Sequence, residues 1–255
     1  MNNEFDLFSL KFENYISLGH CCYVASELND LGLRNRSYPF DWIRSRWRAV
    51  EHSLKTNFNG FLDYDSLYQK KHDLHVYKDL DYGVSFFHDF SKSKSLKSQL
   101  SNVQEKYNKR IDRFFYCIKT PTLFFRYCWD YDELKYISDN YIEVESLIKS
   151  FCNQNEIVFL SHDLPDDLDV SSIKYLFFIE KSKEGSTNEN PISSCNELYN
   201  YLKTVHYPKR QENLEYNKEK ELHFSAKMNL VQRIKRKINK IQERKTYIHK
   251  KQCDL

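Results

Sequence analysis

Residues 15–43 read YISLGHCCYVASELNDLGLRNRSYPFDWI, and the order of residue types in this stretch decides the fold class. Tyr15 to Leu18 is a short apolar run that reads as a buried strand. Gly19 frees the backbone for a sharp turn. His20, Cys21 and Cys22 follow, with Cys22 where a helix begins. Val24, Ala25, Leu28 and Leu31 then recur at helical spacing, and Gly32 closes the pattern as a C-terminal cap. The unit is strand, glycine turn, thiol, helix. A thiol at a helix start meets unpaired N–H groups and the positive end of the helix dipole, and both favour thiolate. The alternative is that Cys21 and Cys22 are small core residues, since cysteine is among the most buried types.

The rest of the chain repeats this alternation. Short apolar runs at 123–128, 156–161 and 173–179 read as further strands, and Gly83 to Phe90 as another short one. Helical spacing covers Leu96 to Phe115, about 141–151, and Asn196 to Val205. Asp41 stands where it would cap a helix carrying Trp42, Ile43, Trp47, Val50 and Leu54, a role weighed equally with a functional one. Residues 58–82 and 207–222 lack regular pattern. Short strands alternating with helices predict an α/β fold, a mainly parallel sheet with helices on both faces. The ligand crevice of such a sheet lies beyond the C-terminal ends of its strands. Those ends here are Gly19-His20-Cys21, Trp129-Asp130 and Ser161-His162-Asp163. We expect one α/β domain over 1–206, then a charged connection and helical tail over 207–255.

The net charge of +3 conceals an asymmetry. Residues 227–255 carry ten Lys/Arg against Glu243 and Asp254, a net of +8, which leaves −5 on the other 226 residues. Val231, Ile234, Ile238, Ile241 and Ile248 punctuate that basic run at helical intervals, which predicts a basic amphipathic helix. Such a helix suits an anionic membrane surface, a partner helix, or the acidic body of its own chain. It carries no aromatic platform, which argues against single-stranded nucleic acid. No run of about 18 apolar residues predicts a membrane span. The acidic N-terminus lacks a signal pattern, and seven cysteines without framework spacing fit a reducing compartment, so a cytoplasmic location is expected.

The chain holds no GxSxG, P-loop, GxGxxG or HExxH pattern and no zinc-ligand spacing, so neither cofactor nor metal is expected. What remains is thiol chemistry, which requires a thiolate, a base, a group to orient the base, and oxyanion donors. Cys21 and Cys22 both qualify as the thiol. His20, His88 and His162 are the histidines with a plausible setting, and the last two are each followed by an aspartate.

Ser17-Leu18-Gly19, Cys22, Leu31-Gly32-Leu33-Arg34 and Ser37 through Trp42 together resemble the opening of a bacterial family labelled papain-like cysteine peptidases, DUF1796. Phe87-His88-Asp89-Phe90, then Tyr107, Arg110, Arg113 and Phe114, then Phe124-Phe125-Arg126, are similar to its later blocks, so the likeness spans about 15–180. The resemblance implies Cys22 rather than Cys21 as nucleophile, His88 rather than His162 as base, and Asp41 or Asp89 near the site. Papain-like enzymes carry a glutamine six residues before the nucleophile, a position held here by Ile16. The parallel sheet also differs from papain's architecture and fits a flavodoxin-like or esterase-like fold better. Families of this kind often lie beside surface-polysaccharide genes, which makes acyl or glycan transfer an alternative to proteolysis.

The resulting expectation is a cysteine-nucleophile hydrolase or acyl transferase acting on a small-molecule, peptide or glycan substrate. Cys22, His88, Asp89 and Asp41 form the catalytic set. Arg34, Arg110, Arg126 and His20 contact an anionic part of the substrate. The competing expectation is a non-catalytic binding protein for an anionic sugar or nucleotide, tethered by its basic tail at the inner face of the membrane.

Overall fold

The computed structural model describes residues 7–73, 75–162, 168–179 and 190–218. In chain order the elements are β1 (Asn14–Ser17), α1 (Tyr23–Asp30), β2 (Ile43–Arg44), α2 (Trp47–Lys55), β3 (Leu67–Gln69), β4 (Tyr77–Asp79) and β5 (Val84–Phe86). There follow α3 (Leu96–Cys117), β6 (Thr122–Cys128), α4 (Tyr131–Asp139), α5 (Tyr141–Lys149), β7 (Glu156–Ser161), β8 (Leu176–Phe178) and α6 (Asn196–Thr204).

The sequence's four apolar runs form one parallel sheet in the order β1-β6-β7-β8. Helices cover both of its faces, as the alternation predicts. Successive strand residues point to opposite sides. Leu123, Phe125, Tyr127, Val158 and Leu160 therefore pack with Val24 and Leu28 of α1 and Leu198 and Leu202 of α6. Phe124, Cys128, Ile157 and Phe159 face the other way, against Trp47, Phe114, Leu134, Ile137 and Ile148 from α2 to α5. Burying one large apolar side chain contributes roughly 1.5–3 kcal/mol, so two such layers dominate stability.

A second sheet, β2-β5-β4-β3, is antiparallel and built from strands of two or three residues. The sequence predicts one of these, the run at 83–90. The others are too short for a periodicity to register. Their existence corrects the expectation at Asp41. Ile43 and Arg44 pair with Phe86 and Ser85, so α2 starts only at Trp47, with extended Arg46 as its cap. Asp41 instead closes a tight turn by accepting from the Tyr38 backbone N–H at 2.6 Å.

Two helical segments lie where the sequence pattern predicts none. In α4, Asp130 caps the first turn by accepting from the Glu133 N–H at 3.0 Å. Residues 210–218 are helical rather than irregular. They dock on the end of α1, where Asn213 donates to the Gly32 carbonyl at 2.9 Å and Asn217 to the Asn29 carbonyl at 3.0 Å. The cap predicted at Gly32 forms as a Schellman motif, with Leu33 N–H on Leu28 O and Gly32 N–H on Asn29 O, both at 3.0 Å. The basic amphipathic helix expected over 228–248 lies outside the described residues. Among the described residues no helix is long and apolar enough to cross a membrane.

Candidate active site

The turn after β1 is held from below by a buried arginine. Gly19 has φ +84°, and a Cβ there would stand 2.7 Å from Ser45 Oγ and 3.1 Å from Arg126 Nη1. Positive φ and lack of space therefore both require glycine. Arg126, fully enclosed on β6, donates all five of its N–H bonds to protein. Nη1 reaches the Leu18 carbonyl at 2.6 Å and Ser45 Oγ at 3.2 Å. Nη2 reaches the Ser45 carbonyl at 2.6 Å, and Nε meets Glu133 Oε1 at 2.9 Å, with Nη2 on that same oxygen. Glu133 also accepts from the Trp47 N–H at 2.6 Å and the Trp129 N–H at 3.2 Å. One ion pair thus fixes the end of β1, the β2–α2 connection and the start of α4 to one another.

On this base sit His20, Cys21 and Cys22. His20 is 5% exposed, its ring stacked on Trp129 at 4.6 Å and edge-on to Tyr127 at 6.0 Å. Neither ring nitrogen has a hydrogen-bond partner of standard geometry among the described residues, although the Ser45 backbone lies near enough to oppose the pKa shift in part. Burial, reinforced by the Arg126 and Arg44 guanidinium groups, lowers its pKa to about 3, so the imidazole is neutral at physiological pH. Burial also pushes the Cys21 thiol up to about 11, against the pull of the Tyr23 backbone N–H and the two arginines. Cys22 is half-buried at the N-cap position of α1, where its carbonyl accepts from the Ser26 N–H at 2.9 Å.

The adjacent strands add two groups to this edge. Tyr127 hydrogen-bonds through its hydroxyl to His162 Nε2 at the end of β7. Burial, followed by the nearby Cys21 thiol, raises the Tyr127 hydroxyl above the ordinary phenol range. The C-terminal edge of the parallel sheet thus gathers both thiols, His20, Tyr127, Trp129 and His162.

The other residues singled out in the sequence lie elsewhere. His88 is exposed just past β5, its ring edge-on to Trp42 at 6.3 Å. Arg44 links the two regions. Its guanidinium lies 4.9 Å from the Phe87 ring centre, and its charge is felt at both His20 and Cys21. Asp89 does not turn toward its neighbour His88. Its carboxylate takes the Lys106 ammonium and the Tyr107 hydroxyl, the latter at 2.9 Å. Asp41 is fully buried and paired with Arg34, which also donates to the Arg36 carbonyl and lies over the Tyr38 ring. Arg110 lies over the Tyr107 ring at 4.9 Å on α3.

These placements revise the arginine roles. Arg126 and Arg34 are enclosed and bound to carboxylates of the protein, so they position backbone rather than line an open surface. Asp41 and Asp89 are likewise taken by cations and hydroxyls. The sequence carried a signal for the first of these. An arginine inside a wholly apolar strand demands a buried carboxylate, and Glu133 in the capping pattern of α4 supplies it. Tyr127 is two residues from Phe125 and shares its face, a placement that period-two alternation foretells.

Among the described residues, two surface cavities stand out for their chemistry, and neither is lined by Cys22, His20 or His88. One, of about 1480 Å³, lies at the opposite edge of the sheet among Phe12, Tyr15, Pro121 and Tyr207. The other, of about 480 Å³, lies against α3. Among the described residues no group of three or more His, Cys, Asp or Glu side chains is placed to hold a metal ion.

Fold and edge together define an α/β protein with a cysteine-bearing strand–helix turn. Residues 13–164 match the family described as "Putative papain-like cysteine peptidase (DUF1796)", and the chain belongs to that family. The chain is also 31% identical over 121 residues to an uncharacterized protein of Acanthamoeba polyphaga mimivirus, covering 40% of this chain and 54% of that protein. The chain therefore spans about half the length of that curated relative. No solved structure matches it.

Proposed function

We propose that the protein is a cysteine-nucleophile hydrolase or acyl transferase acting through Cys22. The observation that carries this reading is the half-buried thiol at the N-cap of α1, directly beyond the C-terminal end of β1. The Cys22 sulfur bonds to the carbonyl carbon of an amide, ester or thioester while the bond to the leaving nitrogen, oxygen or sulfur breaks. The thiol proton passes through a histidine to the leaving group. Water or a second acceptor then releases the acyl group. First-turn N–H groups of α1 are suited to the oxyanion.

His88 is the base assigned first, reached across the two-residue strand β2, whose Arg44 touches Phe87 on one side and acts on Cys21 on the other. A second reading places His162 in that role, favoured by its bond to Tyr127 and by the nearness of Tyr127 to Cys21. The substrate is a small-molecule, peptide or glycan-linked acyl group, with surface-polysaccharide metabolism as its setting. The protein is placed in the cytoplasm, with residues 227–251 held at an anionic membrane face by their excess of Lys/Arg. Deleting them is expected to reduce sedimentation with anionic vesicles, and unchanged sedimentation discards that placement.

Alkylation mapped by peptide mass tests the nucleophile. At pH 7.5 iodoacetamide is expected to modify Cys22 ahead of Cys21, whose thiol is protonated at that pH. His88→Ala is expected to slow the Cys22 reaction. Slowing by His162→Ala in its place assigns the base to the second reading. Cys22 reacting no faster than Cys21 sinks the nucleophile assignment itself.

A further inference from the structure

The solvent face of α3 presents Glu105, Lys106, Lys109, Arg110 and Arg113 in one stripe, and with Arg36 they border the 480 Å³ cavity. A basic stripe on a helix is ordinarily a solvated face. This one differs in how its cations are held. Asp89, with its side chain 2% exposed, grips both Lys106 and the Tyr107 hydroxyl. The fixed Tyr107 ring in turn supports the Arg110 guanidinium at 4.9 Å. Arg113 donates to the Ser37 carbonyl, which ties the helix to the 34–37 loop. That loop is itself fixed by the buried Arg34–Asp41 pair.

Arg110 Nη1 is shielded from solvent and has no hydrogen-bond partner among the described residues. A guanidinium N–H in that state lacks an acceptor that it would otherwise have in water. Five cations border the cavity against one lining carboxylate, Glu105, which already faces Lys109 at 2.5 Å. Cations held in place around an open surface depression are the arrangement that binds phosphoryl oxygens. Lys106 and Arg113 are seven residues apart, a rise of about 10 Å along the helix. Set against Glu105 and Asp89, the five cations leave a formal excess of three charges, nearer that of a diphosphate than of a single phosphate.

We propose that this cavity is a diphosphate-binding site, separate from the thiol edge and independent of the function proposed for it. Arg110 and Arg36 supply the principal contacts, and Lys106 and Arg113 are held ready beside them. The same chemistry is offered by inorganic pyrophosphate and by a nucleoside diphosphate, which differ in whether a base and ribose add to the binding.

Calorimetric titration of the full chain with pyrophosphate, and separately with ADP, at about 0.15 M salt tests the site. Saturable binding at one equivalent is expected. Arg110→Gln and Arg36→Gln should each weaken it about ten-fold or more, the loss typical of one charge-assisted hydrogen-bonding group. Lys135→Gln, an equal change of charge on exposed α4, should leave it unaltered. Equal affinity for the two probes limits recognition to the diphosphate, and tighter binding of ADP extends it to the nucleotide. Thermal melts establish that each variant is folded. No saturable binding overturns the proposal. So does binding that survives both arginine changes, which would belong to the basic C-terminal sequence, or binding that Lys135→Gln weakens equally.

Discussion

Replacing Glu133 by glutamine tests whether the Arg126 ion pair organises the thiol edge. The two side chains are 0% and 1% exposed, so the guanidinium left behind has no access to water. Glutamine preserves shape and one carbonyl oxygen, but it turns an amide N–H₂ toward the Trp129 N–H that Glu133 now accepts. Removing one member of a buried pair costs about 3–5 kcal/mol because the other charge is left uncompensated. At about 2–4 °C per kcal/mol for a chain of this size, the midpoint should fall by about 6–20 °C.

Thermal and urea unfolding followed by circular dichroism measures that loss. The deficit should be nearly the same in low and high salt, since ions do not screen a pair buried this fully. The double variant Arg126→Met, Glu133→Leu should lose less than the two single changes summed, because it strands neither charge, while the Leu18 and Ser45 carbonyls and the Trp47 and Trp129 N–H groups still lose their partners. A shift under 2 °C for Glu133→Gln, or a double variant worse than the sum of the singles, would refute the account of Arg126 as the support beneath Gly19 and His20.

Gly19→Ala should lose more than about 2 kcal/mol, since a left-handed conformation alone costs an L-residue about 1–2 kcal/mol and the new Cβ also strikes Ser45 Oγ at 2.7 Å; an unfolding midpoint equal to wild type would contradict it. His20 gives a pH signature. Its folded pKa of about 3 lies below the unfolded value, so between about 6.5 and 3 only the unfolded chain takes up that proton. Stability is therefore lost as pH falls through this window, by at most about 1.4 kcal/mol per pH unit from this group. Glu27, whose carboxyl is raised by burial, contributes with the opposite sign, so the comparison is made against His20→Phe. That variant should flatten the profile between pH 6 and 4, and an unchanged slope would show that His20 is not buried as a neutral ring.

The layered α/β core was legible because its signals are local and repeated. Each strand of the parallel sheet is an apolar run, and the Gly19 and Gly32 turns carry the residue that their positive φ values require. The second sheet was hidden for the converse reason. Strands of two and three residues are stabilised by pairing partners far apart in sequence, such as Ile43 with Phe86, and no window along the chain contains both.

The site divides along the same line. The position of the thiols followed from strand, glycine and helix in succession. The partners of the charged residues did not, because a carboxylate's role depends on which cation folding brings to it. Asp89 follows His88 in sequence, yet α3 presents Lys106 and Tyr107 to it, and two hydrogen bonds there outweigh adjacency along the chain. The same preference leaves His88 without an orienting carboxylate at its neighbour. It also fixes the Tyr107 ring that carries Arg110, so Asp89 bears on the α3 cavity rather than on the thiol. Asp89→Asn, which keeps the shape and an acceptor for the Tyr107 hydroxyl but removes the charge that Lys106 now faces, should therefore strengthen pyrophosphate binding while leaving Cys22 alkylation unaltered. A change in alkylation with unaltered pyrophosphate binding would return Asp89 to the histidine and reverse this reading.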